Sequence, residues 1–74
     1  MKLYYYYDKQ ADVMYFSQGK PSKSSLSVET ADDVVIRLDP KTKAIKGFTI
    51  LNFSKRLKTD SPISLPIEAI LKPV

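Results

Sequence analysis

Lys2-Leu3-Tyr4-Tyr5-Tyr6-Tyr7-Asp8-Lys9-Gln10-Ala11-Asp12-Val13-Met14-Tyr15-Phe16-Ser17 is the stretch that decides the fold. Residues 2–7 are almost all aromatic or β-favouring, so they read as a strand. Four consecutive tyrosines put two rings on each face of that strand. A tyrosine suits either face, because its ring is apolar and its hydroxyl reaches water. Asp8 is a good turn initiator and opens a short polar connection to Ala11. The β pattern resumes over residues 12–17 with Val13, Met14, Tyr15 and Phe16. Two strands joined by so short a segment make a β-hairpin.

Working outward, Gln18 to Ser25 holds Gly19, Pro21, Ser22, Ser24 and Ser25 and reads as a loop. Leu26, Val28 and Glu29 suggest a short strand, and Ala31-Asp32-Asp33 a turn. Val34 to Asp39 alternates, with Val34, Ile36 and Leu38 on one face and Val35, Arg37 and Asp39 on the other. Asp39-Pro40-Lys41-Thr42 is a turn in which proline presets φ. Ala44 to Phe53 reads as a long strand. Gly47 inside it marks a bulge or a close backbone approach. Ser54 to Asp60 is polar and basic. Residues 61–72 fit two patterns. Ile63, Leu65, Ile67, Ala69 and Leu71 have period 2, whereas Ile63, Ile67, Ile70 and Leu71 form a helical stripe. Pro66 is tolerated on an edge strand, and equally in a first helical turn after Ser64. The edge strand is preferred.

The expected fold is mainly β: a small antiparallel sheet of four to five strands built from two hairpins, with a C-terminal edge strand or short helix. The 74 residues make one domain over positions 1–74. Hydrophobic residues are 43%, too many for a disordered chain. A domain this small buries only about 60% of the surface its unfolded chain exposes. A single core of this size rarely supplies more than roughly 3–5 kcal/mol. Homodimerisation is the remaining source of burial, so a homodimer or a small protein partner is expected. No apolar run of signal-peptide or membrane-spanning length occurs. A cytoplasmic location and no membrane association are expected.

Histidine and cysteine are both absent. That removes imidazole bases, Cys-His nucleophiles, zinc and iron–sulfur sites and disulfides. The two glycines cannot build a phosphate-cradling loop. No catalytic residue, metal ligand or cofactor is expected, and the chain reads as a non-enzyme. Asp8 and Asp12 flank the first turn. A hard cation wants about six oxygens, so turn capping explains them better. Lys46, Lys55, Arg56 and Lys58 are the candidate partner or nucleic-acid face, because exposed tyrosines beside basic residues can stack unpaired bases. The net charge of +4 is modest for that role. Core or interface packing of the rings and a solvated basic loop are the plainer explanations.

Two groups of residues carry a family resemblance. The first is Tyr7-Asp8, Asp12 and Tyr15-Phe16; the second is Val35 to Asp39, Ile45, Gly47, Ile50-Leu51 and Ser54. Their spacing is similar to the small bacterial family called domain of unknown function 2283. That family's pattern runs Y-D-x-x-x-D-x-x-Y-[IF], a strand, a turn, then G-x-x-[IV]-L-x-x-S. The resemblance covers roughly residues 3–57. Residues 1–57 are then the family-like core and 58–74 a C-terminal extension. Asp8, Asp12, Tyr15, Gly47 and Ser54 are its turn and structural positions. Lys41-Thr42-Lys43 departs from it, standing where the family commonly has glycine. The resemblance implies a compact antiparallel β domain and brings no catalytic residues. Some members resemble the second gene of two-gene modules whose partner is a toxin-like domain, which implies an antitoxin-like binding role. The resulting expectation is a non-enzymatic protein–protein interaction module, with a nucleic-acid-binding β domain as the alternative.

Overall fold

β-Branched and aromatic runs separated by Asp-, Gly- and Pro-bearing turns give five strands. They are β1 (Leu3–Asp8), β2 (Val13–Gln18), β3 (Leu26–Glu29), β4 (Val34–Leu38) and β5 (Ile45–Leu51). The computed structural model describes residues 1–20, 25–30, 32–58 and 61–74. Residues 21–24 of the expected loop, Ala31 of the expected turn and residues 59–60 of the basic stretch lie outside the described residues. The strands form one antiparallel sheet in the order β1-β2-β5-β4-β3. The first hairpin therefore docks on the last strand, and β1 and β3 are left at the edges.

Each turn has a local cause. Asp8 Oδ1 accepts the backbone N–H of Gln10 at 3.0 Å and of Ala11 at 3.1 Å, closing the first turn. Asp32 and Asp33 both have positive φ, 69° and 62°, a left-handed backbone that aspartate tolerates in turns. Asp39 Oδ1 accepts from Lys41 N at 2.8 Å and Thr42 N at 3.0 Å. Lys43 then takes φ 63°, a left-handed backbone that costs a residue with a Cβ. This is the turn in which the sequence departs from the pattern of the family it resembles.

Register sorts the side chains. Tyr5, Phe16, Phe48, Ile36 and Val28 stand opposite one another across the sheet, as do Tyr7, Met14, Ile50 and Val34. They share one face, because side chains alternate along each strand. Phe16 and Phe48 stack there at 4.7 Å. The other face carries Tyr6, Tyr15, Thr49, Val35 and Glu29 in one row, and Tyr4, Ser17, Gly47, Arg37 and Ser27 in the next. Among the described residues the buried apolar core is Val13, Val34 and Ile50. So thin a core agrees with the small burial expected of this length.

A register shift separates the Arg37–Gly47 pair from the Leu38–Ile45 pair, so Lys46 is the extra residue of a bulge. At Gly47 the backbone of β2 comes close. A Cβ there would lie 2.2 Å from the Phe16 carbonyl oxygen and 3.0 Å from Ser17 Cα.

The end of the chain differs from the sequence expectation. The strand expected to reach Phe53 stops at Leu51, because Asn52 turns left-handed at φ 52°. Phe53–Arg56 then forms a short helix, α1, the C-terminal helix of the fold. The described residues from 61 to 74 are neither helix nor strand, so neither the period-2 edge strand nor the helical stripe forms there. Ile63 and Leu65 instead pack beside Ile50, Phe53 and Leu57 around a cavity of about 280 Å³. Four residues of polar helix carry no readable periodicity. Pro66, which breaks either regular pattern, sits at a bend.

Candidate functional site

Asp12 is the node of the family-pattern residues. It immediately precedes β2 and has a left-handed φ of 57°, a conformation that aspartate tolerates. This aims its carboxylate back across the turn. Oδ1 accepts the Tyr7 hydroxyl at 2.6 Å and the Ser54 backbone N–H at 2.9 Å, and Oδ2 accepts the Ser54 hydroxyl at 2.8 Å. The Asp12 carbonyl takes the Phe53 N–H at 3.0 Å. The first hairpin turn is thus clasped to the start of α1. The Tyr7 ring lies 5.6 Å from the Phe53 ring on the same join. The Tyr7 hydrogen bond, followed by the two from Ser54, holds the Asp12 carboxyl below its usual range. The same bond pushes the Tyr7 phenol up. A carboxylate in this state is a weak proton acceptor, and its hydrogen-bonding capacity is spent on holding two chain segments together. No group of three or more metal-ligating side chains occurs among the described residues.

The opposite sheet face holds a groove of about 460 Å³, lined among others by Tyr6, Tyr15, Arg37, Lys46 and Lys20. Tyr6 and Tyr15 stack at 6.1 Å. The Arg37 guanidinium lies over the Tyr15 ring at 5.6 Å. Its Nε donates to Thr49 Oγ1 at 3.3 Å, over a threonine that is itself buried. The bulge brings Lys46 to this face, where Nζ lies 3.5 Å from Asp39 Oδ2. The Asp39 carboxyl is held below its usual range by the Thr42 and Lys41 N–H groups, with Lys46 adding to them. The candidate basic residues are not gathered together. Lys46 lines this groove, whereas Arg56 borders the cavity at Ile50 and Phe53 on the other face. Lys55 and Arg56 form the last turn of α1, and Lys58 follows it, exposed. Sequence reading missed Arg37, Lys20 and the Tyr7 hydroxyl. Strand parity already placed Arg37 outward, and the Tyr7 to Asp12 spacing lay within the family pattern.

The third feature is the edge at β1. Gly19 N–H donates to the Lys2 carbonyl at 2.8 Å. In an antiparallel ladder, alternate residues aim both backbone groups at the same neighbour. Lys2, Tyr4, Tyr6 and Asp8 therefore face β2. The N–H and C=O groups of Leu3, Tyr5 and Tyr7 point away from the sheet. No proline, lysine or bulge, three of the devices that blunt a sheet edge, interrupts Leu3 to Tyr7. Tyr5 and Tyr6 are 77% and 64% exposed.

A five-stranded antiparallel sheet, with its first turn clasped to a short helix through an aspartate, defines the class of domain. The model of a protein family of unknown function, DUF2283, matches residues 5–54. The chain belongs to that family. The matched segment ends at Ser54, the residue that closes the Asp12 clasp. No curated protein and no solved structure matches the chain.

Proposed function

We propose that this chain is a non-enzymatic protein-interaction module that takes a partner strand along β1. The observation that carries the reading is the open, unguarded edge at Leu3 to Tyr7 beside exposed tyrosines. Strand addition draws affinity from main-chain hydrogen bonds and specificity from alternate side chains. With Val13, Val34 and Ile50 as the buried apolar residues among those described, the domain gains from a partner's surface. A small toxin-like protein is the finer reading of that partner, supported by the analogy with two-gene modules in the family. Light scattering on a size-exclusion column, at low and high salt, tests the proposal. A mass above one chain that survives high salt, with slowed amide exchange at Leu3, Tyr5 and Tyr7, is the expected result. A monomer at both salts, whose three amides exchange freely even with the candidate partner present, overturns it.

One observation favours a second reading. Stacked Tyr6 and Tyr15 beside Arg37, Lys46 and Lys20 present rings and cations on one face, the combination that holds single-stranded nucleic acid. Binding of an oligonucleotide that weakens steeply with salt and is lost on Arg37→Ala supports this reading. Binding that ignores both removes it.

A further inference from the structure

We infer that the partner of β1 is a second copy of this chain, paired antiparallel about Tyr5. The inference rests on the interaction-module reading and deepens it.

The outward backbone groups belong to Leu3, Tyr5 and Tyr7, as the Gly19–Lys2 hydrogen bond and the β1–β2 register require. Two copies related by a two-fold axis at Tyr5 bring Tyr5 opposite Tyr5 and Leu3 opposite Tyr7 of the other copy. All three outward residues then sit in hydrogen-bonded pairs, each exchanging two bonds. Centring the axis on Tyr4 or Tyr6 strands Tyr7 or Leu3. The same Tyr5-centred register sets Lys2 opposite Asp8 at both ends of the strand. These are non-hydrogen-bonded positions, where side chains come closest. Centred on Tyr4, Lys2 falls opposite Tyr6 and Asp8 runs past the partner strand; centred on Tyr6, Asp8 falls opposite Tyr4 and Lys2 opposite Gln10. Between them, Tyr4 falls opposite Tyr6, which already stacks on Tyr15, so the ring ladder continues across the axis. On the other face the exposed Leu3 and Tyr5 side chains join a continuous apolar surface. The strand is thus complementary to itself in backbone, charge and ring placement, which is what an isologous interface needs. The β3 edge offers a weaker template. It is four residues long, and its outward groups are those of Ser27 and Glu29.

The test uses the untagged full chain and sedimentation equilibrium over micromolar to millimolar concentrations. Tyr5→Pro removes one outward N–H that β2 does not use, at a site where edge proline is tolerated. It is expected to keep the wild-type circular dichroism and to be monomeric throughout. Lys2→Glu is expected to weaken the dimer about tenfold, since symmetry repeats each like-charge contact. Adding Asp8→Asn, which keeps an acceptor for the turn, is expected to recover most of that loss. The chain has no cysteine, so Tyr5→Cys reports the axis directly. Its Cα separation in this register, about 5.5 Å, is within disulfide reach. Leu3→Cys is not, so it is expected to stay uncrosslinked. A dimer that Tyr5→Pro leaves intact, or that crosslinks through Leu3→Cys and not Tyr5→Cys, overturns the inference while leaving the interaction-module reading standing. A wild-type monomer up to millimolar concentration also overturns it. The broader reading then depends on whether a different protein protects the same three amides.

Discussion

Gly47→Ala tests the closest approach in the sheet. The added Cβ meets the Phe16 carbonyl oxygen at 2.2 Å and Ser17 Cα at 3.0 Å, where ordinary contact starts at 3.4 Å. Both neighbours are backbone of the adjacent strand, so no side chain can swing away. Strands β2 and β5 must part locally by about 1 Å, enough to break well-formed hydrogen bonds. The Phe16–Phe48 pair is the adjoining hydrogen-bonded one, and its rings stack at 4.7 Å. Two lost hydrogen bonds at about 0.5–1.5 kcal/mol each, plus part of a ring contact of similar size, give about 2–4 kcal/mol. For a domain this size that lowers the midpoint by on the order of 10–25 °C. The loss approaches the roughly 3–5 kcal/mol that such a core supplies. Thermal and urea unfolding followed by circular dichroism measures it. Gly19→Ala is the control. Gly19 has φ +72°, and a Cβ there meets Met1 Sδ at 3.4 Å and Met1 Cε at 3.9 Å, so that variant bears left-handed strain of about 1 kcal/mol and no clash. Gly47→Ala within about 0.5 kcal/mol of wild type, below the range of a single lost hydrogen bond plus ring contact, would refute the close-approach argument.

The Asp12 clasp predicts two pH limits. Asp12 has a lowered folded pKa, so its contribution is present above the ordinary value of 3.8 and is lost as pH falls through the lower folded value. Asp12→Asn flattens that part of the acid unfolding curve, leaving the share due to Asp39. Tyr7 has a raised pKa, so its contribution holds below pH 10 and fades as pH rises through the higher folded value. An ultraviolet titration should show one of the five tyrosines ionising late, and Asp12→Asn should abolish the delay. Ile50→Ala opens a cavity in the core it shares with Val13 and Val34 and should cost about 2–4 kcal/mol by urea unfolding. A loss under 1 kcal/mol would show that the tail had collapsed into the gap. Lys43→Gly relieves the left-handed strain at φ 63° and should raise stability by about 0.5–1 kcal/mol, net of the added chain entropy. An unchanged or lower melting temperature counts against the strain.

The legible part of the family pattern acts locally. Asp8 caps its own turn, and the alternation of Val34, Ile36 and Leu38 assigns a face, whereas Gly47 lies inside β5 and its close neighbour is β2. The clasp was only half legible. Asp12 and Ser54 both stand out in the sequence, yet nothing in a chain separation of 42 residues says that they touch. Their contact exists because β2 pairs with β5, which brings the start of one strand beside the end of the other.

Sequence alone determined where strands β1 to β4 and the start of β5 lie, because hydrophobic period and turn chemistry are properties of neighbouring residues. It determined as well that imidazole and thiol chemistry are unavailable. Tertiary structure decided the order β1-β2-β5-β4-β3, the short helix at Phe53–Arg56, the path of residues 61–74, and the separation of Lys46 from Arg56. The bulge aimed one basic residue at the tyrosine face, while the left-handed Asn52 ended a strand whose alternation ran on. Those outcomes follow from which surfaces bury one another. That balance is struck between segments far apart in the chain, where local period carries no information.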